Sequence, residues 1–406
     1  MPSIAVIVTD NESAWIFRRH LLEEAVQRGY RTYLLAPTGP YDAYFRKAGV
    51  VHLAINVRRT MSPLRDMRFF WQILCACIRY RFDVVHTLSI KPNLWGTLAA
   101  SLAHVPVIVG SITGLGALFS GRASGTIRFL RPSILRLYRL SLRRLDRIWF
   151  QNRDDLDCFQ KIGLIKPGQA VLIRGSGVDV GYFHPGAVSS LEVNSLRETL
   201  RIAPGQKVVT MVSRTLWSKG TQDFLDMVRA SQERQSPVLF LLVGDGQPRN
   251  PDSVPRDHIR SYEGAGFQWL GWRRDIRGIL ALTTVSMLLS QEREGVPKSL
   301  LEAAAMGKPI LATDVPGCRE VVQPGWNGLL ISPHHPAAAL TALEGLLADS
   351  AKLATFARNS RALAESDFDV HVVNDRIISD LYGFRHRPGV AVPASRVVEA
   401  AQYSNR

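Results

Sequence analysis

Short apolar runs alternate with amphipathic segments along most of the chain, and this alternation constrains the fold more than any other feature of the sequence. Runs such as residues 4–8 and 208–212 have the length of buried strands, and the segments after them have helical spacing. Strands that alternate with helices predict parallel sheets covered by helices on both faces. Because the pattern starts again in the second half, we predict an α/β protein of two doubly wound, Rossmann-like domains that face each other across a cleft.

The same pattern divides the 406 residues into predicted domains, because a chain of this length exceeds the usual size of a single core. Residues 1–180 are predicted to form an N-terminal domain and residues 205–368 a C-terminal domain. Residues 181–204 belong to a stretch rich in glycine, proline and serine, and we interpret them as a linker. Residues 369–384 are predicted to form a helix that packs back on the N-terminal domain, and residues 385–406 a loose tail.

Cysteine usage and hydropathy indicate the compartment. The four cysteines are scattered without a Cys-x-x-Cys pair, which argues against a disulfide framework and structural zinc. The first apolar run has no charged region before it, so no signal peptide is expected. No apolar run approaches the roughly 20 residues that a membrane-spanning helix needs. We therefore predict a cytoplasmic protein.

The net charge of +15 is concentrated in the first half, where residues 1–180 contain 25 Lys and Arg against 12 Asp and Glu. Many of these arginines lie on a helix predicted over residues 132–149, where they share one side: Arg136, Arg139, Arg143, Arg144 and Arg147. A second basic stretch, which includes Arg58, Arg59, Arg65 and Arg68, runs into large apolar side chains.

Two interpretations of this charge remain open. The arginines form either a solvated face over an ordinary core or a surface that docks on anionic lipid headgroups or diphosphates. Nucleic acid is not an expected partner, because no recognisable binding motif accompanies the charge.

Two glutamates eight positions apart frame the start of a predicted helix. Pro297 suits the first helical position and Gly307 suits the end, so Glu302 lies on the first or second turn and Glu294 in the preceding loop. Amide groups at a helix start favour a phosphate, whereas carboxylates accept hydrogen bonds from hydroxyls. A nucleotide sugar carries both groups and fits such a site.

Two cations follow the predicted strand 208–212. Arg214 and Lys219 stand five positions apart on a strand-to-helix loop, where they can hold a diphosphate from two sides. Gly244 ends the next strand and allows a ligand to approach the backbone closely. Taken alone, these residues also fit an ordinary solvated loop, but together with the two glutamates they favour a binding site.

Four motifs in the second half occur in a fixed order, and the chain thereby resembles glycosyltransferase family 4, retaining enzymes of the GT-B architecture. The motifs are Ser213-Arg214-x-x-x-x-Lys219-Gly220, Val243-Gly244-Asp245-Gly246, Leu270-Gly271-Trp272-Arg273 and Glu294-Gly295-x-Pro297-x-x-x-x-Glu302. The similarity is greatest to the capsule and lipid-linked oligosaccharide branch, which includes the undecaprenyl-diphospho-bacillosamine N-acetylgalactosaminyltransferases.

The resemblance implies a role for each motif residue. Arg214 and Lys219 neutralise the leaving diphosphate, Glu302 binds the ribose hydroxyls and Glu294 binds a sugar hydroxyl. Arg273 lies where family members contact the base. The remaining donor-binding positions are Gly244, Gly295, Val296, Pro297 and Lys298. The resemblance also implies a UDP-sugar donor, and because no Asp-x-Asp run stands at a strand end, no metal or other cofactor is expected.

The first half departs from the family at one place. Many members carry a histidine after the strand at 105–110 that contacts the donor sugar, but this chain has Ser111 and a Gly-Leu-Gly loop there. His86, at a strand end, either takes part of that duty or is a buried core histidine. The predicted acceptor-binding residues are His86, Lys91, Thr113 and Arg18, with Lys91 equally compatible with a solvated side chain.

The sequence thus predicts a glycosyltransferase that moves a sugar, an N-acetylhexosamine or related hexose, from a UDP-sugar to a polyprenyl-diphosphate-linked saccharide. Such a product belongs to capsule, O-antigen, lipopolysaccharide or another surface glycan. The enzyme would act on the inner face of the cell membrane as a peripheral protein. The alternatives are an inactive GT-B scaffold at the membrane and a UDP-sugar 2-epimerase of the same architecture.

Overall fold

The computed structural model describes residues 1–57, 62–114, 125–247, 250–264 and 266–383, and only the backbone of 125–131. Arg58 and Arg59 of the second basic stretch and the predicted tail 385–406 lie outside the described residues.

The first domain is a seven-stranded parallel sheet in the spatial order β3-β2-β1-β4-β5-β6-β7. Its strands are β1 Ser3–Ile7, β2 Arg31–Ala36, β3 Val51–Ala54, β4 Val84–Leu88, β5 Val107–Ile112, β6 Arg147–Phe150 and β7 Ala170–Leu172. Its helices are α1 Asn11–Gln27, α2 Asp42–Lys47, α3 Pro63–Tyr80, α4 Thr97–Leu102 (after a π-helical turn, Pro92–Gly96), α5 Gly125–Leu142 and α6 Arg153–Lys161.

The second domain is a six-stranded parallel sheet in the order β10-β9-β8-β11-β12-β13. A short 3-10 turn, Pro185–Ala187, and helix α7 Ser190–Thr199 precede it. Its strands are β8 Val208–Val212, β9 Leu239–Val243, β10 Phe267–Gly271, β11 Val285–Leu288, β12 Ile310–Thr313 and β13 Gly328–Ile331. Its helices are α8 Thr221–Glu233 (after a 3-10 turn, Trp217–Lys219), α9 Arg256–Arg260, α10 Ile276–Leu282, α11 Lys298–Ala305, α12 Cys318–Val321, α13 Pro336–Ala348 and α14 Ser350–Asp367.

Alternate residues of each central strand pack on opposite faces of the sheet, as the period of a strand requires. In β1, Ala5 and Ile7 pack with the core formed by α3, α4 and α5, whereas Ile4 and Val6 pack with α1. Every residue of β1 is buried, which explains why its sequence is a continuous apolar run instead of an alternating one. The predicted pair of doubly wound parallel sheets is confirmed.

The end of the chain crosses back from the second domain to the first. Helix α15, Val370–Arg376, and the π-helical turn Ile377–Leu381 follow α14. Ile377, Ile378 and Tyr382 are buried in the same core as Ile4 and Val6 of β1. The first domain therefore depends on residues more than two hundred positions beyond its last strand.

The segment 181–204 is not a simple linker. Residues 190–199 form α7, which packs against α10, and Leu200 and Ile202 are buried in a core with Val208. Its glycines, proline and serines mark the turns before α7 and the cap of α7, where Ser189 accepts a hydrogen bond from the Glu192 amide at 3.1 Å.

The helix predicted over residues 132–149 is too long at its C-terminal end. Helix α5 ends at Leu142, Arg143 and Arg144 follow it, and Arg147 begins β6. At Asp146 the backbone bonds to the sheet instead of to a helix. Its amide donates to the Ile108 carbonyl at 2.8 Å, and its carboxylate accepts from the Ile108 amide at 2.7 Å. The five arginines therefore do not share one helix face.

Among the described residues, none of the helices has both the length and the apolar content required to pass through a bilayer.

We expect Ile377→Ala to lower the free energy of unfolding by about 2–5 kcal/mol, because it removes a buried side chain and leaves a cavity. Hydrogen exchange should show the lost protection in β1 and β4, which share its core. Val372→Ala is a matched control in α15, directly before the turn that carries Ile377, because Val372 is 41% exposed and its loss should change stability by less than about 0.5 kcal/mol. Loss of protection confined to the second sheet would contradict the dependence of the first domain on this segment.

Candidate active site

The loops that follow the strands of the two sheets contact each other. Asn152, directly after β6, donates hydrogen bonds from its side-chain amide to the carbonyl oxygens of Glu294 at 3.1 Å and of Gly295 at 3.3 Å. Lys298, at the start of α11, donates from Nζ to the carbonyl oxygen of Ile16 in α1 at 2.8 Å. The carboxyl edges of the two sheets therefore face each other, with the loop between β11 and α11 between them.

Lys219 and Glu294 meet at the point where the strand order of the second sheet reverses, between β8 and β11. Their side chains form an ion pair, and Ser290 donates from Oγ to the same Glu294 oxygen at 2.7 Å. Gly220 ends the turn that carries Lys219 with φ at 71°, and a Cβ there would lie 1.8 Å from the carbonyl oxygen of Leu289. Only glycine allows this close approach, which holds Lys219 beside the end of β11.

Helix α11 presents its first turns to the same edge. Pro297 precedes it with φ at −64°, and Lys298 and Glu302 stand one turn apart on one side. Burial lowers the pKa of Lys298 to about 8, and burial raises the pKa of Glu302 while the charge of Lys298 opposes that rise. The other charges that act on Lys298 are Asp179, Arg18 and Arg19.

The loops after β8 and β9 are pressed together at Gly244. A Cβ on Gly244, whose φ is 129°, would lie 1.9 Å from the carbonyl oxygen of Ser213, and its own carbonyl accepts from the Trp269 indole at 2.8 Å. Arg214 is exposed beside this contact and donates to the Gln247 side chain at 3.0 Å. The predicted Arg214 and Gly244 thus lie on neighbouring loops at the carboxyl edge.

Arg273 follows β10 at the outer end of the same edge. Its guanidinium forms two hydrogen bonds with the Asp275 carboxylate, at 2.8 and 2.5 Å, which fix its orientation and raise its pKa. Strands β9 and β8 lie between β10 and β11 in the sheet, so Arg273 and Glu294 lie at separate points along the same edge. The base and the sugar of a nucleotide sugar are likewise separated, by the ribose and the diphosphate.

Gly295 touches the first domain. A Cβ there would lie 2.5 Å from the carbonyl oxygen of Thr113 and 2.6 Å from the side-chain oxygen of Gln151. On the other side, a Cβ on Gly317 would lie 2.2 Å from the carbonyl oxygen of Gly295. Val296, the next residue, is buried. The backbone of this loop is therefore held from both domains, and the predicted Thr113 lies beside it with an exposed side chain.

Three contacts at this site were not predicted. Asn152 caps α6 by accepting from the Asp155 amide at 2.7 Å, a role that its position after a strand signals in the sequence. Asp155 is fully buried and accepts from Arg293 at 2.9 and 3.2 Å, which opposes the rise of its pKa by burial. Ser290 carries no local signal of its contact with Glu294. Arg293 and Asp155 are 138 positions apart along the chain, so spacing alone could not have identified that pair.

His86 is a structural residue of the first domain instead of an acceptor ligand. Its side chain is fully buried, and its ring nitrogens bond to the Tyr382 hydroxyl at 2.8 Å and to Ser111 Oγ at 2.5 Å. Burial lowers the pKa of His86 to about 3, so the ring is neutral. The core interpretation of His86 is the one that the structure supports.

Lys91 and Arg18 are also buried, which corrects their predicted exposure to an acceptor. Lys91 forms an ion pair with Asp66 of α3. The Arg18 guanidinium stacks over the Trp149 ring at 4.5 Å and donates to the Phe17 carbonyl at 2.8 Å. Lys91 is thus paired inside the first domain, whereas Arg18, itself on α1, is one of the charges that act on Lys298.

The assembled groups can bind a ligand that carries both hydroxyls and phosphates. Glu294 and Glu302 provide acceptors, Lys219 and Lys298 provide cations, and the amino end of α11 provides free amides. Across the described ranges, no three His, Cys, Asp or Glu side chains are gathered in a way that could hold a metal ion.

Two families match successive parts of the chain. Residues 14–175 match the family described as Glycosyl transferase 4-like domain, and residues 206–349 match the family described as Glycosyl transferases group 1. Together the two matches cover every strand of the two sheets except β1.

Similar proteins match over nearly the full length. The chain is 26% identical, over 90% of its length and 94% of the relative, to the N,N'-diacetylbacillosaminyl-diphospho-undecaprenol alpha-1,3-N-acetylgalactosaminyltransferase of Campylobacter jejuni. It is also 26% identical, over 85% of its length and 86% of the relative, to the UDP-Gal:alpha-D-GlcNAc-diphosphoundecaprenol alpha-1,3-galactosyltransferase of Escherichia coli. Among solved structures, Anabaena HepE in complex with UDP and glucose shares the fold, with a TM-score of 0.78 at 20% identity over 95% of this chain and all of that chain.

The facing sheets and these matches define the protein as a glycosyltransferase of the GT-B class. It belongs to the glycosyltransferases that join a 4-like domain to a group 1 domain, and the resemblance noted in the sequence is confirmed.

We expect Asn152→Ala to lower glycosyl-transfer turnover by about tenfold or more and to speed hydrogen exchange at Glu294 and Gly295. The substitution removes the donor that holds both carbonyls and leaves them unpaired at the edge of the core. Asp349→Ala is the matched control, since it removes the N-cap of α14 without touching this loop. Equal loss of turnover in both variants would show that Asn152 acts only through stability.

Proposed function

We propose that the protein transfers a sugar, an N-acetylhexosamine or related hexose, from a UDP-sugar to a polyprenyl-diphosphate-linked saccharide, with retention at the anomeric carbon. The observation that carries the proposal is the ion pair of Lys219 with Glu294 at the reversal of strand order, where doubly wound sheets bind their ligands. The two relatives whose names specify undecaprenol-linked diphosphate acceptors support the acceptor class.

The second domain supplies the donor contacts in this proposal. Glu302 accepts from the ribose hydroxyls, and Glu294 accepts from a hydroxyl of the transferred sugar. Lys219 donates one N–H to Glu294 and has two more to direct at the diphosphate. Arg214 approaches the same diphosphate from the exposed side of the loop after β8.

The reaction needs charge stabilisation on the leaving group more than it needs an external base. The acceptor oxygen forms a bond to the anomeric carbon on the face from which the diphosphate departs, and its proton passes to a departing phosphate oxygen. Lys219, Arg214 and the amino end of α11 stabilise the charge that develops there. Because these fixed groups supply the positive charge, we propose that transfer needs no metal or other cofactor.

The acceptor determines where the enzyme works. A saccharide on a polyprenyl diphosphate is held at a membrane surface, so we propose a peripheral enzyme on the inner face of the cell membrane. Its product would serve capsule, O-antigen, lipopolysaccharide or a related surface glycan. No observation favours an inactive scaffold or a 2-epimerase, since the donor residues of the second domain are assembled.

The test is a panel of UDP-sugars with isolated lipid-linked saccharides and a mass readout of the product. Lys219→Ala is expected to lower turnover by about a hundredfold or more, because it removes charge stabilisation of the leaving group. Glu302→Ala is expected to raise the KM for the donor by about tenfold to a hundredfold. Arg234→Ala, which breaks the exposed ion pair with Glu344 in the same domain, should leave both values unchanged. Wild-type rates in both site variants would overturn the proposal.

Donor affinity is expected to depend on the protonation of Lys298. Its pKa of about 8 makes it an ammonium below that pH and a neutral amine above it. A bound diphosphate favours the ammonium, so the affinity for UDP should fall as pH rises above about 8, by up to about tenfold per pH unit. Titration calorimetry between about pH 6.5 and 9 measures this fall.

Lys298→Gln should flatten that profile. Lys308→Gln is a matched control, because burial also lowers the pKa of Lys308 to about 8 but its Nζ donates to the Ala281 carbonyl, at the opposite edge of the sheet. A profile that persists in Lys298→Gln and disappears in Lys308→Gln would contradict this role for Lys298.

A further inference from the structure

Helix α3 exposes a stripe of apolar side chains along its whole length. Leu64 is 88% exposed, Trp71 55% and Ile78 61%, with Met67 and Cys75 exposed between them. The five residues are spaced by three, four, four and three positions, which places them on one face of the helix. The opposite face carries Phe69, Ile73 and Cys77, which are buried in the first domain. The stripe is therefore additional to the face that the core needs.

Arginines accompany the stripe. Arg65, Arg68 and Arg79 are exposed on α3, and helical spacing places them together along one border of the stripe. The helices α3, α4 and α5 contain one acidic residue, Asp66, and it is buried against Lys91. An apolar stripe with a cationic border and no exposed acid complements an anionic bilayer surface, where apolar groups enter the headgroup boundary and arginines meet phosphates.

The two neighbouring helices continue this surface. Helices α3 and α4 pack side by side, and α5 packs next to α4. Leu102 at the end of α4 is 58% exposed, and Leu140 of α5 is 53% exposed. Arg136 and Arg143 lie exposed on α5 and directly after it. Large exposed apolar side chains gathered on adjoining helices are uncommon on a soluble surface without a partner.

We propose that the outer face of α3, with the exposed residues of α4 and α5 beside it, docks the enzyme on a bilayer that contains anionic lipids. We call it the docking face; its apolar residues are Leu64, Met67, Trp71, Cys75, Ile78, Leu102 and Leu140. This inference deepens the proposed function, because it names the surface that brings the cleft to a lipid-linked acceptor.

The orientation of α3 links docking to the cleft. Asp66, in the first turn of α3, bonds to Lys91, which follows the carboxyl end of β4. The amino end of α3 therefore lies at the edge of the first sheet that faces the second domain. A bilayer against Leu64 and Met67 meets the protein beside the opening through which a lipid diphosphate would enter.

Cosedimentation of the full chain with vesicles tests the docking face. Vesicles of phosphatidylcholine alone are compared with vesicles that also contain phosphatidylglycerol, at low and high sodium chloride. The wild type is expected to bind the anionic vesicles, with an affinity that falls as salt rises. Trp71→Glu is expected to weaken binding by roughly tenfold or more, and Arg65→Gln with Arg68→Gln by about fivefold for each arginine removed.

The second domain offers matched controls. Leu191 is 81% exposed on α7, so Leu191→Glu makes the same kind of change away from the docking face. Arg260→Gln with Arg358→Gln removes two exposed arginines of that domain. Both control variants should bind anionic vesicles as the wild type does. Equal weakening in the Leu191 and Trp71 variants, or equal binding of the wild type to neutral and anionic vesicles, would overturn the proposal.

Cys75 gives a direct readout of insertion. In a Cys158→Ser background, a polarity-sensitive thiol label on Cys75 should shift to the blue when anionic vesicles are added, because Cys77 and Cys318 are buried. An unchanged spectrum in the presence of bound vesicles would show that another surface docks.

Two further measurements distinguish docking on a bilayer from dimer formation and from a failure of the proposed function. Sedimentation without vesicles tests whether the docking face joins two copies of the chain, and a dimer that Trp71→Glu dissociates would overturn the bilayer assignment. UDP binding by Trp71→Glu should equal that of the wild type. Failure of UDP binding in the wild type would count against the proposed function, whereas vesicle binding would still decide the docking face.

Discussion

Parallel strands place every loop that follows them at one edge of their sheet, and the structure of this enzyme depends on two such edges facing each other. The loop after β11 lies between them, bonded to Asn152 from the first domain and pressed by Gly317 from the second. Its carboxylate at Glu294 is paired with Lys219 where the strand order reverses. Position at the edge, more than any single bond, brings these groups together.

Burial then sets the charges of the site. Lys298 and Glu302 stand on the first turns of α11 in surroundings that disfavour charge on both, and each opposes the effect of burial on the other. The pair therefore holds its ionised state less firmly than a solvated pair does. A ligand with negative charge and hydroxyl donors satisfies the lysine and the glutamate together, which is why the proposed donor suits this position.

The position of the second-domain residues at the carboxyl edge could be predicted from the sequence because they lie within a few positions of strand ends. Gly220, Gly244 and Glu302 mark turns and a helix start that local spacing reveals. The surroundings of the first-domain residues proposed for the acceptor could not be predicted in the same way. Tyr382 bonds to His86 from 296 positions away, and the sheet, instead of the arginine pattern, ends α5 before Arg147. Whether a polar side chain is exposed depends on such distant contacts. The sequence alone therefore leaves His86 and Lys91 open between a ligand contact and another role and predicts a ligand contact for Arg18, and all three are buried.

The two passages of the chain between the domains run side by side. Val178 donates from its amide to the carbonyl of Phe368 at 2.8 Å and accepts from the Val370 amide at 3.0 Å, and Gly177 leaves no room for a side chain against Val370. Because these two crossings are joined by a pair of hydrogen bonds, a rotation of one domain against the other must either move both crossings together or break the pair.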